Sequence, residues 1–205
     1  IIFSEDDGDT WTQADSVPTQ NTLTDISCST EQLCWATGHD ATILHSSDFG
    51  KTWEIQYFDI DFDAPLLSIH MYDDKNGVAI GAFALSLRTS NGGMSWDYLF
   101  VSDDEFQPHI NYTYGDGQAW RESSKDEGYA VGELGKYYVS DDQGLNWLEI
   151  DTGYFGSFWS GIKVDNGQSL LLGMSGKLTL ATLIDRDENP PEDKEVYVAC
   201  YESGL

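Results

Sequence analysis

Apolar and polar residues alternate along most of the chain in runs only a few residues long, each broken by Gly, Asp, Asn or Ser. In CWATGHDATILHSSD (34–48) two such runs meet at a glycine-containing turn, and GVAIGAFALSLRTSN (77–91) and GYAVGELGKYYVSDD (128–142) repeat the arrangement. A further alternating run stands upstream of each, TLTDISC, PLLSIHMY and PHINYTY, and another downstream, TWEIQYF, SWDYLF and NWLEID. A period of two over so few residues, rich in β-branched and aromatic side chains, predicts strands. Each repeat is therefore expected to supply four strands, A to D.

The predicted turn between strands C and D carries one motif four times: SEDDGDTW (4–11), SSDFGKTW (46–53), TSNGGMSW (89–96) and SDDQGLNW (140–147). Its tryptophans stand at 11, 53, 96 and 147, at intervals of 42, 43 and 51 residues, a period typical of repeat architectures. An Asp or Asn side chain can bond nearby backbone N–H groups, Gly can take a positive φ, and Trp can anchor the turn on the sheet. Ser4, Asp6, Gly8 and Trp11 are read in this way as a structural staple. So are Ser46, Asp48, Gly50 and Trp53; Asn91, Gly93 and Trp96; and Ser140, Asp142, Gly144 and Trp147. An EF-hand would need further oxygen ligands and a terminal bidentate Glu, so no metal is assigned here.

The same eight-residue stretches resemble the Asp-box, or BNR repeat, with Asn91 in the Asp position of the third copy. The longer unit, as in AVGELGKYYVSDDQGLNW, is similar to the repeat of the photosystem II stability/assembly factor family of β-propellers. The resemblance covers about residues 1 to 180 and implies an all-β propeller of four-stranded antiparallel blades with Asp-box turns. SLLLGMSGKLTLATLIDRD (169–187) keeps the pattern of strands B and C but lacks the box. The chain is thus expected to be a single partial propeller, 1–205, of about four to five blades. It would comprise a partial blade at 1–17, blades at 22–58 and 65–101, a blade with an inserted loop at 106–151, and a degenerate blade at 157–202. Such a number does not close in the usual way, so the chain is expected to be a fragment of a longer protein. Open edges also suggest self-association.

Composition narrows the partners. Thirty-six acidic against ten basic side chains give a formal charge of −26, which repels phosphate backbones and anionic membranes and argues against nucleic-acid binding. No stretch approaches the length of apolar sequence a membrane helix requires, so no membrane insertion is expected. Cys28 and Cys34 flank a turn that begins with the polar residues STEQ, and if their strands form one hairpin they come within disulfide reach. That bridge would indicate an oxidising, extracytoplasmic compartment, periplasmic or secreted. Cys200 reads as a small core residue. Asn111-Tyr112-Thr113 fits the N-glycosylation pattern.

In a four-stranded blade the B–C and D–A connections emerge on one face, opposite the Asp-boxes. This face is expected to display His39, Asp40, Phe83, Glu133, Tyr154 and Trp159, an aromatic and carboxylate mixture able to hold a peptide or a sugar. The insertion near 101–127, with Trp120 and Arg121, is a further candidate binding loop. Catalysis has weaker support. The resemblance to sialidases would require an arginine triad, and Arg88, Arg121 and Arg186 are the only arginines. The four histidines are scattered, with no nucleophile-elbow sequence. No cofactor or catalytic residue is assigned. The reading is a non-catalytic protein-binding or assembly propeller, with an Asp-box glycoside hydrolase or carbohydrate-binding propeller as the alternative.

Overall fold

The structure, a computed structural model, describes residues 1–62, 64–102, 107–115, 126–164, 168–183 and 196–200. Trp120, Arg121 and Arg186, and the side chain of Cys200, lie outside the described residues. The described chain forms five antiparallel sheets. β1 (Ile2–Phe3) and β2 (Thr12–Gln13) make a two-stranded sheet, blade 1, from strands C and D alone. Blade 2 contains β3 (Leu23–Cys28), β4 (Cys34–Gly38), β5 (Ile43–Ser46) and β6 (Glu54–Tyr57). Blade 3 contains β7 (Leu66–Met71), β8 (Gly77–Gly81), β9 (Leu85–Thr89) and β10 (Asp97–Phe100). Blade 4 follows with β11 (Ile110–Gly115), β12 (Gly128–Gly132), β13 (Tyr137–Ser140) and β14 (Leu148–Ile150). Blade 5 holds β15 (Phe158–Val164), β16 (Gln168–Gly173), β17 (Leu178–Leu183) and β18 (Val196–Cys200). In blades 2 to 5 the strands pair in sequence order, A to D.

The core lies between blades. Trp35, Ile43, Leu66, Ile69 and Leu87 fill the seam of blades 2 and 3; Val78, Ile80, Ile110 and Tyr138 fill that of blades 3 and 4. Tyr114, Tyr129, Tyr137, Phe158 and Leu171 close blades 4 and 5. Tyr114 and Tyr129 stack at 5.2 Å in that last seam. Strand B of blades 2 to 4 is buried on both faces and reads as a uniformly buried run, as in Gly77–Gly81. The innermost strands are also tied to one another: Thr24 Oγ1 donates to the Leu66 carbonyl at 2.7 Å, and Asn111 Nδ2 to the Phe158 carbonyl at 2.7 Å. That bond, with Thr113 buried beside it, places the N-glycosylation pattern inside a seam strand. Every strand A carries a bulge at its start, between Leu23/Asp25, Leu66/Ser68, Ile110/Tyr112 and Phe158/Ser160, which bends it into the next connection.

The four box turns share one network. Ser46 Oγ donates to Asp48 Oδ1 at 2.9 Å and accepts from Gly50 N at 2.9 Å; Asp48 accepts from Thr52 N at 2.9 Å and Thr52 Oγ1 at 2.6 Å. The first and fourth copies repeat these bonds around Asp6 and Asp142. In the third, Thr89 replaces Ser, and Asn91 accepts from Ser95 N while donating to Ser95 Oγ. Gly8, Gly50, Gly93 and Gly144 have φ between 78 and 93°. The box tryptophans differ. Trp53, Trp96 and Trp147 pack into the seam with the preceding blade, whereas Trp11 is 60% exposed. The expectation of a packed anchor is corrected for Trp11, because no sheet of the described residues lies on that side of blade 1.

Cys28 and Cys34, directly opposed on β3 and β4, form a disulfide with Cα atoms 4.0 Å apart. Ile162, Leu172 and Leu178, on the outward face of blade 5, are at least 40% exposed, as is Ile26 on blade 2. No sheet of the described chain covers them.

Candidate functional site

Opposite the boxes, strands B and C are joined by one corner built four times: Gly38-His39-Asp40-Ala41, Gly81-Ala82-Phe83-Ala84, Gly132-Glu133-Leu134-Gly135 and Gly173-Met174-Ser175-Gly176. The leading glycine is extended and is needed for space. A Cβ would sit 2.4 Å from the Thr22 carbonyl oxygen at Gly38, 2.1 Å from that of Pro65 at Gly81 and 2.5 Å from that of His109 at Gly132. The next N–H then donates to the chain entering strand A of its own blade: His39 to Thr22, Ala82 to Pro65, Glu133 to His109 and Met174 to Ser157, at 2.9–3.0 Å. The fourth residue reaches forward to the following blade, Ala41 N to the Ala64 carbonyl, Ala84 N to Pro108 and Gly135 N to Gly156. These bonds lock the face into one continuous rim from blade 2 to blade 5.

The third corner residue is left-handed in every copy: Asp40, Phe83, Leu134 and Ser175 have φ of 54–58°. For a residue with a Cβ this conformation costs roughly 1 kcal/mol. Phe83 and Leu134, at the tips, are each 49% exposed. The Phe83 ring meets the His109 ring edge-on with centroids 5.2 Å apart. Glu133 accepts from His109 N at 3.1 Å, and its other oxygen lies 3.9 Å from His109 Nδ1. Phe83, His109, Glu133 and Leu134 thus form one patch across blades 3 and 4, with Phe155 in the adjoining connection 87% exposed.

The other residues singled out in the sequence lie elsewhere on the rim or beside it. Asp40 accepts from Asn21 Nδ2 at 3.0 Å and belongs, with exposed His39, to the blade 2 corner. Tyr154 packs on Phe158 at 4.9 Å beneath Lys177, whose Nζ lies 5.7 Å from its ring centroid, and so works as a seam residue. Trp159, 57% exposed, is the second residue of β15, the strand position where Thr24 and Asn111 reach the next strand A. In the sequence His109 reads only as one of four scattered histidines, because the Ala84–Pro108 bond that brings it to Phe83 is non-local.

Several ionisable groups on the strands are strongly shifted. Burial lowers His70, on β7, to about 4. Burial pushes Tyr137 up to about 12 in the seam of blades 4 and 5, and burial followed by the bond to Glu127 raises Tyr129. Lys163 Nζ sits 4.3 Å from the centroid of the Tyr129 ring and bonds its hydroxyl. Arg88 of blade 3 donates Nε to the Gln143 carbonyl in the blade 4 box at 3.1 Å. Among the described residues, no group of three or more His, Cys, Asp and Glu is placed to hold a metal.

Stacked four-stranded sheets with Asp-box turns at one end and a locked rim at the other define an Asp-box β-propeller. Residues 3–105 match the family described as photosynthesis system II assembly factor YCF48, and the chain belongs to that family. Its fold is similar to that of YCF48 bound to D1 peptide, with 20% identity, a TM-score of 0.64, and coverage of 89% of this chain and 56% of that one. YCF48 from Cyanidioschyzon merolae gives 18%, 0.59, 91% and 58% in the same order. The GH74 xyloglucanase from Xanthomonas campestris gives 13%, 0.55, 77% and 29%. The chain therefore spans somewhat more than half the length of the two YCF48 chains. No curated protein matches it. No helix among the described residues is long and apolar enough to cross a membrane.

Proposed function

We propose that this propeller is a non-catalytic binding module that holds another polypeptide on the rim of B–C corners, acting as an assembly or scaffold factor. The observation that carries this is the patch of Phe83, His109, Glu133 and Leu134: half-exposed side chains on a backbone locked by bonds to neighbouring blades. Pre-ordered aromatic and apolar groups beside a carboxylate suit peptide recognition, because little conformational entropy remains to be lost on binding. Membership of the YCF48 family supports the reading, as does the fold shared with a YCF48 that binds a D1 peptide. The Cys28–Cys34 disulfide supports an extracytoplasmic location. Alkylation of both thiols in protein taken directly from its cell would contradict that location.

A peptide array, a glycan array and a hydrolysis screen with polysaccharides test the function side by side. Peptide binding weakened by Phe83→Ala is the expected result. Glycan turnover abolished by Asp40→Asn or Glu133→Gln would replace this reading with the glycoside hydrolase alternative.

A further inference from the structure

Resting on the polypeptide-binding reading above, we infer that the rim selects a cationic segment carrying apolar side chains, with Phe83 and Leu134 as its rigid anchors. Folding does not explain these two residues. The corner needs a left-handed backbone, which glycine adopts without steric cost, and the chain does place glycine or alanine at the next left-handed position, Ala84 and Gly135. At the tips it instead carries a Phe and a Leu, each 49% exposed, so neither contributes its full apolar area to a seam. Large side chains kept in an unfavourable conformation and left half in water mark a functional position.

Charge identifies the occupant. The chain carries −26. On the rim, Glu133 adjoins Leu134, Asp151 opens the connection that carries Phe155, and Asp59 and Asp61 stand in the connection between blades 2 and 3. Of the nearby cations, Lys136 is paired with Glu149 at 2.5 Å and Lys177 lies over the Tyr154 ring. An acidic partner would meet like charge, whereas a Lys- or Arg-bearing segment is steered in, and its apolar side chains find Phe83, Leu134 and Phe155.

The test is fluorescence anisotropy with a labelled peptide of alternating lysine, leucine and phenylalanine, and its counterpart with glutamate for lysine. The lysine peptide is expected to bind at least about tenfold more tightly at low salt, with the advantage shrinking as salt rises. Leu134→Gly and Phe83→Gly are each expected to weaken it about tenfold while leaving the melting temperature equal or higher, since glycine relieves the left-handed strain. Equal or tighter binding of the glutamate peptide, unchanged affinity in both variants, or a melting temperature that falls with the affinity would overturn the inference and leave polypeptide binding standing. Binding of neither peptide at any salt would remove both.

Discussion

Trp53 and Trp11 hold the same place in two copies of one motif, yet one is 5% exposed and the other 60%. The difference is what lies beside them, so Trp53→Ala should cost about 3–5 kcal/mol and Trp11→Ala less than about 1 kcal/mol, as read from urea denaturation midpoints. Equal losses would mean that the box tryptophan acts within its own turn and not at the seam. His70 gives a second residue-level outcome. Burial holds it neutral down to about pH 4 in the fold, against 6.5 when exposed, so the unfolded chain binds the proton first as pH falls. Its contribution is fully present above pH 6.5 and declines towards pH 4, by on the order of 3 kcal/mol. His70→Gln should flatten the stability profile over that window, whereas an unchanged profile would place the titration elsewhere.

At the scale of the element, the box turns were legible because their chemistry is local: Ser46, Asp48, Gly50 and Thr52 bond one another within four residues. The B–C corners were legible only as turns. Gly81 and Gly132 are there because the Pro65 and His109 carbonyls pass within 2.5 Å of where a Cβ would stand, a contact that spacing along the chain does not reveal. For the same reason His109 emerged as a site member only when blade 4 was set beside blade 3. Strand A and strand B of blade 2 are joined by the Cys28–Cys34 bridge across a short turn. Closing so small a loop stabilises by roughly 2 kcal/mol in the chain-entropy view. The double variant Cys28→Ser/Cys34→Ser should lose about that much in a denaturant titration while the far-ultraviolet spectrum stays that of a β protein; no loss would assign the bridge no role in stability.

Across the whole molecule, stability resides in seams and recognition on a rim. Four apolar clusters each join consecutive sheets, while the boxes and the B–C corners mark opposite ends of every blade that has both. Ile26 at one end of the array and Ile162, Leu172 and Leu178 at the other are exposed, the kind of surface that a neighbouring sheet or a second molecule covers. Periodicity made the number and order of sheets readable, but not which of four similar corners carries the patch. That depends on two side chains at the tips and on one histidine from the following blade. Hydrogen exchange measured with and without the lysine peptide tests the central claim most directly. Slowed exchange confined to the corners at 81–84 and 132–135 and to residues 107–110 is the predicted result, and protection centred on the Asp-box turns would contradict it.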